Sequence, residues 1–465
     1  MRLFQTEAVG DEMVFFAQRA WIEGAWQTNV RLETGSDGCW KSIDVQGKQQ
    51  SQDVLLGCIL PGLANAHSHA FQRAMAGMAE CGSQTGDNFW RWREAMYEIA
   101  LKVTPDQLRA VATWLYAELL SCGYTQVCEF HYVHRDGAGD LYDQPSQMSL
   151  ALVEAARDAG IGLTLLPTLY QHQGFGQRGL QHQQRRFTST PGLMIDIRDA
   201  VTSQVRELGC PNLINAGVAI HSLRAVHKPD IAELLEGCGK HPIHIHIAEQ
   251  QREVTDCLRH TGLSPIEWLL DNCPLDNRWN LVHATHTEPQ ELRQLAQASA
   301  AVVICPVTEA NLGDGIFDLI TAIDTGLRCS IGTDSHTNRD WAGELRSLEY
   351  SLRLTRQQRN VSSRRANHYR ATGQVLFEMA LDGSSQASGQ PLAGIRVGQR
   401  ADFFEINTEI EPLAGLSEGD WIDALVFSTP SHKPRRVFVA GREQSPDMLE
   451  IRRRAKDAMD QIRSA

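Results

Sequence analysis

The segment His67-Ser68-His69 sets two imidazoles two residues apart, which on an extended chain puts both on one side. Two same-side imidazoles are half of a four-ligand metal site. His246 and Asp334, arriving from later segments, can complete a set of three nitrogens and one oxygen. Such a set suits zinc or a similar divalent ion that keeps one position open for water. Water there has its pKa lowered from about 16 to roughly 7, which provides hydroxide at neutral pH. Asp334 can accept that proton while touching the metal. Glu249, three residues past His246, is placed to pass protons to a substrate nitrogen. His283 is a candidate to polarise the attacked centre or shuttle protons. His244 competes with His246, since both face the same way on one strand. Lying one pleat deeper, it reads as core or as a support.

These groups need elements that bring them to one place. Short apolar runs rich in β-branched residues recur at 57–67, 124–131, 161–170, 213–221, 241–249, 280–286, 300–306 and 327–336. Helix-period stretches lie between them, among them 105–123, 149–160 and 288–300. Eight such units predict an α/β fold, a closed (β/α)8 barrel of the TIM type. An open doubly wound sheet lacks its phosphate signature here, since no GxGxxG or GxxxxGK[ST] follows an early strand. In a barrel, catalytic groups come from the C-terminal ends of the strands. Those ends read His67 and His69, His131 and Tyr132, Tyr170, His221, His246 with Glu249, His283, Cys305 and Asp334. Cys305 reads as a small buried hydrophobe, and His336 as a neighbour of the site or a support for Asp334.

The chain ends differ from the middle. Residues 13–60 and 392–442 carry short apolar segments broken by turns, DALVF at 423–427 among them. They are expected to pair into one small β-sandwich domain. The division expected is 1–60 and 386–445 for that domain, 61–385 for the barrel, and 446–465 for a basic amphipathic C-terminal helix docked on the body or on a neighbouring subunit. The FWRWRE stretch reads as a helix packed on the barrel. The Gln- and Gly-rich segment 171–187 reads as a long loop.

The 465 residues hold 44 Lys plus Arg against 56 Asp plus Glu, a net charge of −12. That argues against a nucleic-acid partner, which needs a basic face, and against adhesion to anionic membrane. It does not forbid an anionic substrate, because a pocket sets its own field. Eleven cysteines without a CxxC pair suggest a reduced chain. No apolar run is long enough for a signal peptide or a membrane span, so a cytoplasmic location is expected.

The stretches PGLANAHSHAFQR, HIHIAEQ, LVHATH and IGTDSH together resemble the amidohydrolase superfamily, in particular its mononuclear deaminase branch. Binuclear relatives close the fourth strand with a carboxylated lysine. This chain reads VAIHSLR there, so the resemblance implies one divalent metal per chain, zinc first, held by His67, His69, His246 and Asp334. It also implies catalytic roles for Glu249, His283 and Asp334. ANAHSHAFQRAMAGMAE, FWRWREAMYEIA, CEFHYVHRDG and CPVTEANLGDGIF are similar to the N-formimino-L-glutamate deiminases. Purine and triazine deaminases of the branch show a CPxSNxxL-type loop where this chain has Thr308-Glu309-Ala310-Asn311. The family implies hydrolysis of a small dicarboxylate, N-formimino-L-glutamate, to N-formyl-L-glutamate and ammonia in histidine degradation.

Two carboxylates call for local cations, and the arginine fork binds them bidentately. Arg93 and Arg224 are the candidates. Arg91 and Arg93 cannot share a helix face, and the family pattern favours Arg93. Arg224 follows His221 by three residues, which puts both in the loop leaving strand four. Gln72 and Tyr132 are candidate uncharged donors. The alternative reading is an aromatic aminohydrolase of the same branch, with apolar walls and no need of two arginines. A homodimer is the expected assembly. The first dozen residues have no family counterpart and read as an extension without a catalytic role.

Overall fold

The computed structural model describes residues 12–78, 80, 89–363, 371–410, 412–431 and 433–464. The extension at the N-terminus therefore lies outside the described residues, apart from Glu12. The barrel strands are, in order, Leu63–Ser68, Tyr124–His131, Gly162–Leu169, the broken pair Ile214–Ala216 and Val218–Ile220, Ile243–Ile247, Trp279–His283, Ala301–Ile304 and Arg328–Ile331. Neighbours pair in parallel from the first to the eighth. A parallel bridge between Ser68 and Asp334 joins the eighth strand's exit to the first strand. The expected (β/α)8 barrel is thus the observed one, and its seam lies between two predicted site segments.

Two glycines shape the strands that feed the site. The apolar run at 57–67, read from sequence as one strand, is two: Val54–Pro61 joins the small sheet and Leu63–Ser68 enters the barrel. The switch is at Gly62, where a Cβ would lie 2.4 Å from the Thr125 side chain. Strand four breaks at Gly217, where a Cβ would stand 2.3 Å from the Pro242 carbonyl. Only glycine permits such backbone approach.

The two chain ends build one separate mixed sheet of seven strands. Its order is Arg442–Gln444, Arg436–Val439, Phe403–Ile406, Val54–Pro61, Val14–Ile22, Ala25–Thr34 and Trp40–Asp44. Phe15, Trp40, Phe403 and Phe438 fill its core, Phe403 stacking on Phe438 at 4.4 Å and Phe15 meeting both edge-on. One expected strand is a helix: DALVF lies within Trp421–Phe427. Its apolar residues Ile422, Leu425 and Val426 recur at three and four, and all three are buried in the large core. A five-residue apolar run is ambiguous in sequence, and burial on one helical face decided it.

The FWRWRE stretch opens the helix Phe89–Lys102. The segment 171–187 holds a short 3-10 helix, His182–Phe187, whose Gln184, Arg186 and Phe187 are buried. The last helix, Met448–Ser464, buries Ile451, Ala455, Ala458 and Ile462, and Arg463 donates to the Ala74 carbonyl at 3.4 Å. It docks on its own barrel. No described helix is long and apolar enough to cross a membrane.

Candidate active site

The predicted strand-end residues gather at one mouth of the barrel. His67 Nε2 lies 3.0 Å from His246 Nε2 and 3.4 Å from Asp334 Oδ1, and His69 Nε2 is 3.3 Å from the same oxygen. All four side chains are buried. His283 faces this cluster, its Nε2 lying 3.7 Å from Glu249 Oε1 and 3.8 Å from Asp334 Oδ2. His244 points elsewhere: its Nε2 bonds the Ala387 carbonyl at 2.8 Å. Between the two competing histidines, the structure sets His246 in the cluster and His244 in the barrel core.

The ring orientations fix where the lone pairs point. His69 Nδ1 lies 2.7 Å from the Phe130 carbonyl and His246 Nδ1 3.0 Å from the His221 carbonyl. A carbonyl only accepts, so both Nδ1 atoms carry the hydrogen, and both Nε2 lone pairs face inward. Burial pushes the pKa values of His67, His69 and His246 below the usual imidazole range, His67 to about 3, which keeps the rings neutral. Burial alone would raise the Asp334 carboxyl, but its hydrogen bond with His67 and the charges of nearby histidines hold it below the usual range. Inward lone pairs of His69 and His246 beside an ionised carboxylate are a surplus of acceptors. A divalent cation satisfies them, and the residues fit that group by donor type, protonation and burial.

His283 belongs to a different environment. Its Nδ1 donates to Glu309 Oε1 at 3.2 Å, and Cys305 N–H donates to the same oxygen at 2.8 Å. Burial disfavours its charge, yet Glu249, Glu309 and Asp334 outweigh it and raise the pKa to about 10. Glu249 itself is pushed up by burial, with His283 pulling the other way. A proton is therefore held between a buried imidazole and a buried carboxyl. His283 (φ 71°) and Asp334 (φ 47°) both take left-handed backbone. Each such residue costs about 1–3 kcal/mol, and strain of this kind clusters at functional sites.

The remaining predicted residues surround the cluster. Gln72 Nε2 donates to the Tyr132 hydroxyl at 3.1 Å, and the Tyr132 ring meets His69 edge-on at 5.1 Å. The His221 ring lies 4.1 Å from that of Tyr170. Arg93 lies inward on its helix and bonds the Tyr97 hydroxyl, whereas Arg91 is exposed. Arg224 is buried, its Nη1 3.8 Å from Glu253. Burial first, and then the charges of Arg224 and Arg93, lower the His221 pKa below the usual imidazole range. Cys305 is fully buried, and burial raises its thiol well above the usual range.

Sequence reasoning passed over Glu129, Glu309 and Tyr97. Glu129 touches the loop that carries His69, and Glu309 touches His283. The available signal for Glu309 was its place one helical turn past Cys305, in the loop leaving strand seven.

The amidohydrolase family model matches residues 58–443. The formimidoylglutamate deiminase of Pseudomonas aeruginosa is 42% identical over 92% of this chain and 93% of its own length. A crystal structure of an amidohydrolase from Brucella melitensis, 37% identical, covers 97% of this chain and 99% of its own with a TM-score of 0.91. An adenosine deaminase from Xanthomonas campestris, solved with bound zinc, shares the fold at 18% identity and a TM-score of 0.78, covering 98% of this chain and 99% of its own. The chain belongs to the amidohydrolase family and is a hydrolase acting on carbon–nitrogen bonds.

Proposed function

We propose that the protein hydrolyses N-formimino-L-glutamate to N-formyl-L-glutamate and ammonia, a step of histidine degradation. The observation that carries this reading is the acceptor cluster of His67, His69, His246 and Asp334, faced by His283 and Glu249. A dicarboxylate substrate would give a role to two inward arginines, Arg93 and the buried Arg224, in a chain whose net charge is −12. The 42% identical deiminase supports the same choice.

His67, His69, His246 and Asp334 would hold one divalent ion, zinc first, which when bound supplies a Lewis acid that makes water acidic near neutral pH. Asp334, ionised and 3.8 Å from the charged His283 ring, takes the proton that water gives up. Oxygen adds to the formimino carbon, and the double bond to the terminal nitrogen becomes single. Glu249, whose pKa burial raises to about 7, delivers a proton to that nitrogen. The carbon–nitrogen bond then breaks, ammonia leaves, the proton still on the added oxygen passes to the Glu249 carboxylate, and the carbon keeps the oxygen as a formyl group. Arg93 and Arg224 hold the carboxylates, while Gln72, Tyr132 and His221 offer uncharged contacts.

Ammonia release from the purified protein tests the reading, with guanine, cytosine and adenosine as controls. Release from N-formimino-L-glutamate alone is the expected result. Release from an aromatic amine alone would replace it with the aromatic aminohydrolase.

A further inference from the structure

Glu129 lies near the end of strand two with both carboxylate oxygens turned to the loop that follows strand one. Its side chain is buried, and three neutral donors hold it. Ser68 Oγ donates to Oε2 at 2.5 Å, Ala70 N–H to Oε1 at 2.6 Å, and the Tyr116 hydroxyl to Oε2 at 3.1 Å. Ser68 and Ala70 flank His69, so one carboxylate holds the residue on either side of that histidine, Ser68 by its hydroxyl and Ala70 by its backbone N–H. The next residue of strand two, Phe130, offers the carbonyl that orients the His69 ring.

Ser68 continues a hydrogen-bond chain whose direction is fixed at both ends. Asn65 Oδ1 accepts Thr333 N–H at 2.8 Å, so Asn65 Nδ2 is the atom that donates to Thr333 Oγ1, also at 2.8 Å. The Thr333 hydroxyl then donates to His336 Nδ1 at 2.9 Å, and His336 Nε2 donates to Ser68 Oγ at 3.3 Å. Ser68 finally donates to Glu129, which only accepts. Every donor in the series finds an acceptor. The chain spans strand one, strand two and the turn after strand eight, where Asp334 N–H bonds the His67 carbonyl and His69 N–H the Asp334 carbonyl.

We infer that Glu129 is a positioning residue that sets the spacing of His69 and Asp334 through the series Ser68, His336, Thr333 and Asn65. This rests on the reading of those two residues as metal ligands. A carboxylate suits the place because three donors converge on it. An amide would turn its own donors toward Ser68 or Ala70 and reverse or break the series.

Cobalt(II) is the probe, loaded into the wild type, Glu129→Gln and Ser68→Ala, with release to a chelator and the visible d–d bands as readouts. Far-UV circular dichroism checks folding. The expected result is folded Glu129→Gln with shifted bands and release faster by about 10- to 100-fold, the scale found for residues that orient metal ligands. Ser68→Ala should change in the same direction by less. Wild-type bands and release in folded Glu129→Gln would overturn the inference. Should that variant fail to fold, wild-type behaviour of Ser68→Ala overturns it instead. Failure of the wild type to take up cobalt would sink the metal reading itself, and this inference with it.

Discussion

Glu309 holds His283 by its Nδ1 at 3.2 Å and is itself held by the Cys305 amide at 2.8 Å. This leaves the His283 Nε2 edge turned to Glu249 and Asp334. An imidazole between carboxylates on both edges keeps its proton, and Glu309 supplies one of those edges. Replacing Glu309 by Gln keeps the shape and removes the charge that supports the imidazolium. Turnover should fall by about 10-fold or more, the lower figure being less than the roughly 10²–10⁴-fold lost with a general acid or base itself because Glu309 only supports one. KM and metal content should stay near the wild-type values. Unchanged kcat would show that His283 needs no charged partner on Nδ1.

His246 and His244 offer a controlled pair on one strand. His246→Ala removes an inward lone pair from the acceptor cluster, so metal content and activity should both drop. His244→Ala removes only the bond to the Ala387 carbonyl and leaves a small cavity. It should lower Tm and leave the metal in place. Elemental analysis of both purified variants decides the matter, and full metal occupancy in His246→Ala would contradict the assignment.

The sequence made legible whatever follows a local period. Same-side spacing brought out His67 and His69, and the strand-end rule brought out Glu249, His283 and Asp334, which the fold does gather. Contacts formed across the barrel left no such trace. Glu129 and Ser68 are 61 residues apart, and neither residue type at its position signals the other. The switch at Gly62 was hidden because apolar residues run unbroken from one sheet into the next. DALVF was misread because five apolar-rich residues fit two periods, and only the packed core selects one.

The arginine pair should separate substrate capture from metal binding. Arg93→Met and Arg224→Met should each retain the metal while kcat/KM for N-formimino-L-glutamate falls by an amount equivalent to about 2–5 kcal/mol, the scale for truncating a buried charge pair. Lysine at either position should restore little, because an ammonium cannot form the fork. An analogue lacking the side-chain carboxylate should lose sensitivity to one arginine and keep it for the other. Wild-type kcat/KM in both Met variants would remove the dicarboxylate pocket.

The fold carries a pH dependence outside the cluster, at Glu344. This fully buried carboxyl accepts Val307 N–H at 2.9 Å and the Asn338 amide at 3.0 Å, so it braces the first turn of the helix Pro306–Leu312. Burial raises its pKa from 4.5 to about 8, against the pull of those two hydrogen bonds. Between these values the folded chain holds a proton that the unfolded chain has released. Raising the pH therefore favours unfolding, by up to about 1.4 kcal/mol per pH unit for one proton. The contribution is whole below about pH 4.5 and is lost as the pH climbs through about 8. Glu344→Gln imitates the protonated form at every pH. Its Tm should match the wild type near pH 5 and exceed it increasingly toward pH 8, as calorimetric scans across that window would show. Parallel Tm curves for the two proteins would mean that Glu344 titrates alike in both states.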